Sequence, residues 1–204
     1  MPQQLSPDGT LLRVCAVLGV TGAAALVGAN VWGSLVVPGH DFVADTVSDL
    51  AAGRYEYIQD IGLYGYAVAL LALTVALAHL HAEDGRWNIG LAALGLTALL
   101  VTIIAARNEY GDNDSEGVEV HIYLVYAMGV TFTLAFACFA EGLDAIRPRY
   151  RALSYVIAVL WAVGAVIFFL LPTEWDGLWE RGLGILTVIW VVAVSRGLWT
   201  LALR

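Results

Sequence analysis

Three stretches of the chain carry side chains that could bind a ligand, and they lie far apart in the sequence. Residues 40–53 contain one histidine, three aspartates and one serine, with apolar residues at helical spacing between them. Asp45 and Asp49 are four residues apart and would share one face of a short amphipathic helix. His121 begins an apolar segment and Arg181 precedes another. We expect Asp49, His121 and Arg181 to hold the polar end of a bound molecule.

Tyrosines stand near the same stretches and could contact the rest of such a molecule. A tyrosine ring offers an apolar body and a polar tip, which suits a lipid or another amphiphile. The candidates are Tyr64, Tyr66, Tyr123 and Tyr126. The alternative interpretation is an aromatic belt at a membrane interface, where tyrosine is also enriched.

The carboxylates and imidazoles also permit a divalent metal site, because they are ligands of zinc and similar ions. The weak candidate set is Asp45, Asp49 and His121. The sequence contains no His-x-x-x-His or His-Glu-x-x-His pair, so the spacing gives no support of its own. A hydrolytic arrangement of Ser48, His121 and Asp49 is a further alternative, which spacing alone does not test. Apart from such a metal, no cofactor is predicted.

Residues 112–117 match the first half of a calcium loop. Acids occupy the first, third and fifth positions, and a glycine occupies the sixth. Tyr123 stands where the loop needs a bidentate acid, so the pattern is incomplete.

The composition predicts that these residues belong to a membrane protein. Of the 204 residues, 60% are hydrophobic and only 14% are charged, and the mean hydropathy is +0.76. An ordinary soluble domain has about a quarter of its residues charged. Lipid must therefore form a large part of the solvent around this chain.

Six continuous apolar segments approach or exceed the roughly 20 residues that a helix needs to cross the hydrocarbon. Because they do not alternate with period two, they predict helices rather than barrel strands. The predicted spans are residues 14–37, 61–80, 87–106, 122–140, 152–171 and 182–203. The connections are short, so the fold class is an all-α bundle of six transmembrane helices. It forms one domain over residues 1–204, and the amphipathic helix lies in the first extracytoplasmic loop.

The basic residues, all arginines, predict that both termini are cytoplasmic. Seven of them then lie on or near the inner side: Arg13, Arg86, Arg147, Arg149, Arg151, Arg196 and Arg204. Three lie outside: Arg54, Arg107 and Arg181. This bias follows the positive-inside rule. Most acids fall on the outer side, and the net charge of −8 makes nucleic acid an improbable partner.

Three short motifs resemble a known family. They are Asp45-Thr-Val-Ser48-Asp49-Leu-Ala after the first span, His121 with Ala127 in the fourth, and Gly177-Leu-Trp-Glu-Arg181-Gly before the sixth, with Trp190. Their order resembles that of the six-helix prokaryotic membrane family known as domain of unknown function 998. That family is itself similar to Frag/DRAM/Sfk-type membrane proteins. The resemblance implies the plasma membrane of a prokaryote and, through those relatives, a connection with lipids.

These observations together lead to an expected function. The chain is predicted to bind a lipid or small amphiphile at its extracytoplasmic mouth without catalysis. Two alternatives stay open at this point, a metal-dependent membrane hydrolase acting on lipids and an accessory subunit of a larger membrane complex. The expected partners are membrane lipids, with a membrane-protein partner or a second copy of the chain as further candidates.

Overall fold

The chain is α-helical in the computed structural model, which describes residues 8–80, 84–106 and 120–204. Six helices within those ranges are long and apolar enough to cross a membrane. They are α1 (Gly9–Val36), α3 (Tyr57–His79), α4 (Gly85–Ala106), α5 (Val120–Ile146), α6 (Tyr150–Phe168) and α7 (Asp176–Leu201). A short helix, α2 (Val47–Leu50), and two 3₁₀ turns, Gly53–Tyr55 and Thr173–Trp175, lie between them. The predicted all-α membrane bundle is confirmed.

Several helices extend beyond the apolar segments that predicted them. The first span, α1, begins at Gly9 rather than at residue 14. The fourth, α5, ends at Ile146 rather than 140, and the last, α7, begins at Asp176 rather than 182. An apolar segment stops at the first polar residues, whereas a helix continues until its end is capped. Asp8 supplies such a cap for α1, since its Oδ1 accepts a hydrogen bond from the N–H of Thr10 at 2.8 Å.

The six spans form a closed ring in the order α1, α3, α4, α5, α6, α7, and α7 packs back against α1. Because the number of these spans is even, both ends of the chain come to one end of the ring. A Cβ built on Gly9 would lie 3.0 Å from the carbonyl oxygen of Ala202. We call this end the terminal end, and the opposite end, which carries residues 37–56, the mouth end.

Aromatic side chains fill the half of the ring nearer the terminal end. Phe136 and Trp190 are fully buried, and their ring centroids lie 5.1 Å apart. The indole Nε1 of Trp190 donates a hydrogen bond to Ser154 Oγ at 3.0 Å, so its polar atom is satisfied. Phe132 and Trp161, with centroids 5.0 Å apart, lie nearer the mouth end. The rings of Phe132 and Trp161 form the boundary between this aromatic layer and a cavity on its mouth side.

The predicted amphipathic helix is present but short, because side chains before it bind the backbone. The Oδ1 of Asp41 accepts hydrogen bonds from the N–H groups of Val43 at 2.8 Å and Ala44 at 3.3 Å. Such local bonds compete with helix formation. The helix therefore starts only at Val47. The chain turns again at Gly53, whose φ of +74° is in the left-handed region that favours glycine.

Candidate functional site

Arg181 is the central residue of the mouth end. It lies in the second turn of α7 and is only 8% exposed. All five N–H groups of its guanidinium have an acceptor in the protein. The acceptors are Asn30 Oδ1 at 3.1 Å, Phe42 O at 3.0 Å, Asp45 O at 2.7 Å, Ser34 Oγ at 3.4 Å and His40 Nε2 at 2.9 Å. The guanidinium also lies 4.4 Å from the centroid of the Phe42 ring.

The start of α7 binds the same loop through its backbone. The N–H of Gly177 donates to Ala44 O at 3.2 Å, and the N–H of Leu178 donates to Val43 O at 2.9 Å. Four consecutive carbonyls, those of residues 42–45, therefore accept hydrogen bonds from α7 or its arginine. These bonds satisfy N–H groups that a helix start leaves without partners. We call this set, residues 42–45 with Gly177, Leu178 and Arg181, the clasp.

The described residues show no ion pair between Arg181 and Asp49 or Glu180. The guanidinium is bound instead by carbonyl, amide, hydroxyl and imidazole groups. Its five donors are fully used, so it positions the loop rather than presenting free donors to a ligand.

His40 is held as the neutral ring by its contact with Arg181. An arginine side chain has no acceptor, so His40 Nε2 must accept and the ring proton must be on Nδ1. That Nδ1 lies 3.4 Å from Asp45 Oδ2. Burial, and next the charge of Arg181, lower the pKa of His40 below its usual 6.5, although nearby aspartates act in the opposite direction.

His40 should therefore make stability depend on pH. The unfolded chain takes up a proton on this ring near pH 6.5, whereas the folded chain takes it up only at a lower pH, because its His40 pKa is lowered. The unfolded state then binds more protons, so the stabilisation that is complete above pH 6.5 declines as the pH falls. Between about pH 7.5 and 5.5, the melting temperature in detergent should fall more steeply in the unchanged chain than in His40→Gln. Equal slopes would contradict this assignment.

Helix α2 is fixed at the edge of the ring by carboxylates at its N-terminus. The Asp49 Oδ2 accepts from the backbone N–H of Thr46 at 2.6 Å and from its hydroxyl at 2.7 Å, which completes a capping box. The Glu180 Oε2 accepts from the N–H of Val47 at 2.7 Å. Leu50, 1% exposed, packs on α1 beside Gly33. The result is a short helix with a fixed position.

Ser48 and His121 meet at this edge. The Ser48 Oγ lies 3.2 Å from His121 Nε2, although the two residues are 73 positions apart. Ser48 is half-buried on α2, and His121 is 7% exposed in the first turn of α5. Such a distance is within reach of a hydroxyl nucleophile and its base.

A cavity of about 780 Å³ lies in the mouth half of the ring, above Phe132 and Trp161, and part of its lining, including Val166 and Ile185, is exposed at the surface. Its wall is apolar and comes from all six spans, represented by Leu26, Leu63, Ile104, Met128, Val166 and Ile185. Asn30, Ser48, His121, Glu180 and Arg181 also line it, at the mouth end. Its volume falls in the roughly 300–1,000 Å³ range of small-molecule sites.

One donor at the cavity lacks a partner. The Nδ2 of Asn30 is buried and makes no hydrogen bond in the chain as described. Arg181 fixes the amide by donating to its Oδ1, so the Nδ2 is fixed as well. A buried amide donor without an acceptor is costly, and an acceptor on a bound molecule would remove that cost.

The structure brings only some of the predicted ligand residues to the cavity. Those that line it are Tyr66, His121, Tyr126 and Arg181. Tyr66 is 3% exposed, and its hydroxyl donates to Thr187 Oγ1 at 2.7 Å. The predicted residues that do not line it are Asp49, Tyr64 and Tyr123.

The candidate metal ligands face different partners. Asp49 caps α2, Asp45 Oδ2 lies near His40 and accepts the N–H of Asp41 at 2.7 Å, and His121 contacts Ser48. Across residues 8–80, 84–106 and 120–204, no three His, Cys, Asp or Glu side chains form a group that could hold a metal. The calcium-type segment 112–117 lies outside those ranges. A metal at this site therefore stays a prediction.

The sequence did not indicate which groups accept hydrogen bonds within the clasp, because these acceptors are backbone carbonyls. A carbonyl carries no residue signature, so the composition of residues 42–45 could not indicate it. The usable signal was a glycine four positions before a buried arginine at a helix start, Gly177 and Arg181. A Cβ on Gly177 would overlap the carbonyl oxygen of Asp45.

The three motifs that are separated in the sequence meet around the mouth of the cavity. Ser48 contacts His121, Val47 is bound by Glu180, and the Asp45 carbonyl is bound by Arg181. Fold and site together define a multi-pass α-helical membrane protein with an apolar cavity whose rim is polar.

The family model described as "Protein of unknown function (DUF998)" matches residues 13–197, and the chain belongs to that family. No curated protein and no solved structure gives a significant match to the chain.

Proposed function

We propose that the protein binds one lipid or small amphiphile in the cavity, with the apolar part among the spans and the polar part at the mouth end. The observation that carries the proposal is the cavity itself, which combines an apolar wall from six helices with a polar rim. The unpartnered Asn30 Nδ2 supports it, because an ester or headgroup oxygen would give this donor an acceptor.

The proposal places the mouth end outside the cytoplasmic membrane of a prokaryote, with both chain ends inside. Support comes from the arginine distribution, since Arg147, Arg149 and Arg151 follow the α5 span at the terminal end. A lipid of the outer leaflet would then reach the cavity with its headgroup towards water.

Filling the cavity tests the proposal. Gly184 on α7 lines the cavity, and a Cβ there would meet no atom within 4 Å. Gly184→Phe should place a ring in the cavity and reduce the lipid retained after purification by about tenfold, equivalent to ~1.4 kcal/mol of binding. Native mass spectrometry, with lipid extraction, measures the retained lipid per chain.

Gly182→Phe is the matched control. Gly182 is also on α7 and also has open space around a Cβ, but it is exposed and does not line the cavity. The control should retain lipid like the unchanged chain. Equal lipid content in both variants and in the unchanged chain would rule out this cavity as the binding site.

A further inference from the structure

We infer that Ser48 and His121 form a nucleophile and base that cleave an acyl ester of the bound amphiphile. The inference rests on the proposed function for its substrate, because the cavity would hold the acyl chain. It goes beyond binding by assigning a reaction to the rim of the cavity.

The geometry places the two groups at the boundary that such a reaction needs. The 3.2 Å contact joins Ser48 Oγ to His121 Nε2, and both residues line the cavity at its polar end. A chain lying in the apolar space would bring its first polar group, the ester, to this rim. Water reaches the same rim from the mouth end, since Ser48 itself is partly exposed.

Ser48 is held in a fixed position, as a reacting group requires. The α2 helix is fixed by the capping box of Thr46 and Asp49 and by the Glu180 carboxylate on Val47. His121 is on a different helix, α5, so the contact depends on the tertiary fold. Fixing a nucleophile and its base on separately anchored elements keeps the attack distance constant.

The reaction balances without a further reagent other than water. As Ser48 Oγ attacks the ester carbonyl carbon, its proton passes to His121 Nε2 and a new C–O bond forms. The bond to the alcohol breaks, and Nε2 returns the proton to the departing oxygen. Water then repeats the sequence on the acyl-serine and releases a carboxylic acid. Asn30, whose Nδ2 has no acceptor among the described residues, lines the same cavity and offers a donor to an oxygen atom of the bound amphiphile.

The decisive experiment uses the full chain in detergent and two probes. An alkyl fluorophosphonate should attach to Ser48, as located by peptide mass spectrometry, and p-nitrophenyl palmitate should be hydrolysed. Ser48→Ala should abolish labelling, and His121→Gln should slow both labelling and hydrolysis by about 100-fold or more. Thermal melting shows that the variants remain folded.

The matched controls are Ser195→Ala and His79→Gln, which replace a buried serine and a histidine away from the cavity. Both should label and hydrolyse like the unchanged chain. Absence of label on Ser48, or hydrolysis that survives Ser48→Ala, would overturn the inference.

The two proposals fail separately. If the unchanged chain retains lipid and Gly184→Phe loses it, but the fluorophosphonate does not label Ser48, only the ester cleavage is wrong. If Ser48 labels and p-nitrophenyl acetate is hydrolysed while no lipid is retained, the amphiphile binding is wrong.

Discussion

Replacing Arg181 with leucine is expected to lower the free energy of unfolding in detergent by about 3 kcal/mol or more. The change removes the donors of five hydrogen bonds at once. The carbonyl oxygens of Phe42 and Asp45 then lose the hydrogen bonds that Arg181 donates to them. Each buried polar group left without a partner costs roughly 1–3 kcal/mol, although the loop will relax and the losses will not add fully. A melting curve followed by intrinsic fluorescence measures the effect.

Arg181→Lys separates charge from geometry. Lysine keeps the positive charge but has three donors on a flexible stem, so it can replace only part of the network. We expect an intermediate loss of stability. Arg196→Leu is the matched control, because Arg196 is exposed on the same helix, and its effect should stay within about 0.5 kcal/mol. If all three variants melted together with the unchanged chain, the clasp would have no role in stability.

Gly177→Ala is expected to destabilise the chain although alanine is the better helix former. A Cβ at this position would lie 2.6 Å from Arg181 Nη1 and overlap the carbonyl oxygen of Asp45. Overpacking of this kind costs roughly 1–3 kcal/mol, which exceeds the gain of at most about 1 kcal/mol in helix propensity. The loop should separate from α7, so proteolysis within residues 37–46 should become faster.

Gly182→Ala is expected to raise the free energy of unfolding, as measured by thermal melting, whereas Gly177→Ala lowers it. Gly182 is a helical glycine with open space around a Cβ, so only the propensity gain remains, about 0.5–1 kcal/mol of stabilisation. A loss of stability in Gly177→Ala together with a gain in Gly182→Ala would locate the effect in the contact with Asp45. A gain in both would show that α7 can move away from the loop at little cost.

The spans could be predicted from the sequence because lipid imposes a one-dimensional rule. A helix must be apolar for the thickness of the hydrocarbon, and each of the six runs is visible on its own. The helix ends could not be read in the same way. They depend on individual caps, such as Asp8 at the start of α1, and these lie outside the apolar runs.

The site could be predicted only in part, because its contacts are tertiary. The types of Ser48 and His121 suggested a hydrolytic pair, but no spacing rule brings residue 48 to residue 121. The same hypothesis gave Asp49 as the third member, and the structure assigns the Asp49 carboxylate to the Thr46 cap instead. A carboxylate one residue after a serine points elsewhere on a helix, which makes direct neighbours poor partners.

Closure of the ring determines when the cavity is completed during synthesis. The first and last spans are neighbours, joined by Arg181 and Asn30 at one end and by Gly9 beside Ala202 at the other. During synthesis, the first five spans leave one side of the ring open until α7 is inserted. Arrival of α7 supplies the missing side and, through Arg181, fastens the first loop. The cavity and its polar rim are therefore complete only when the last span has been inserted.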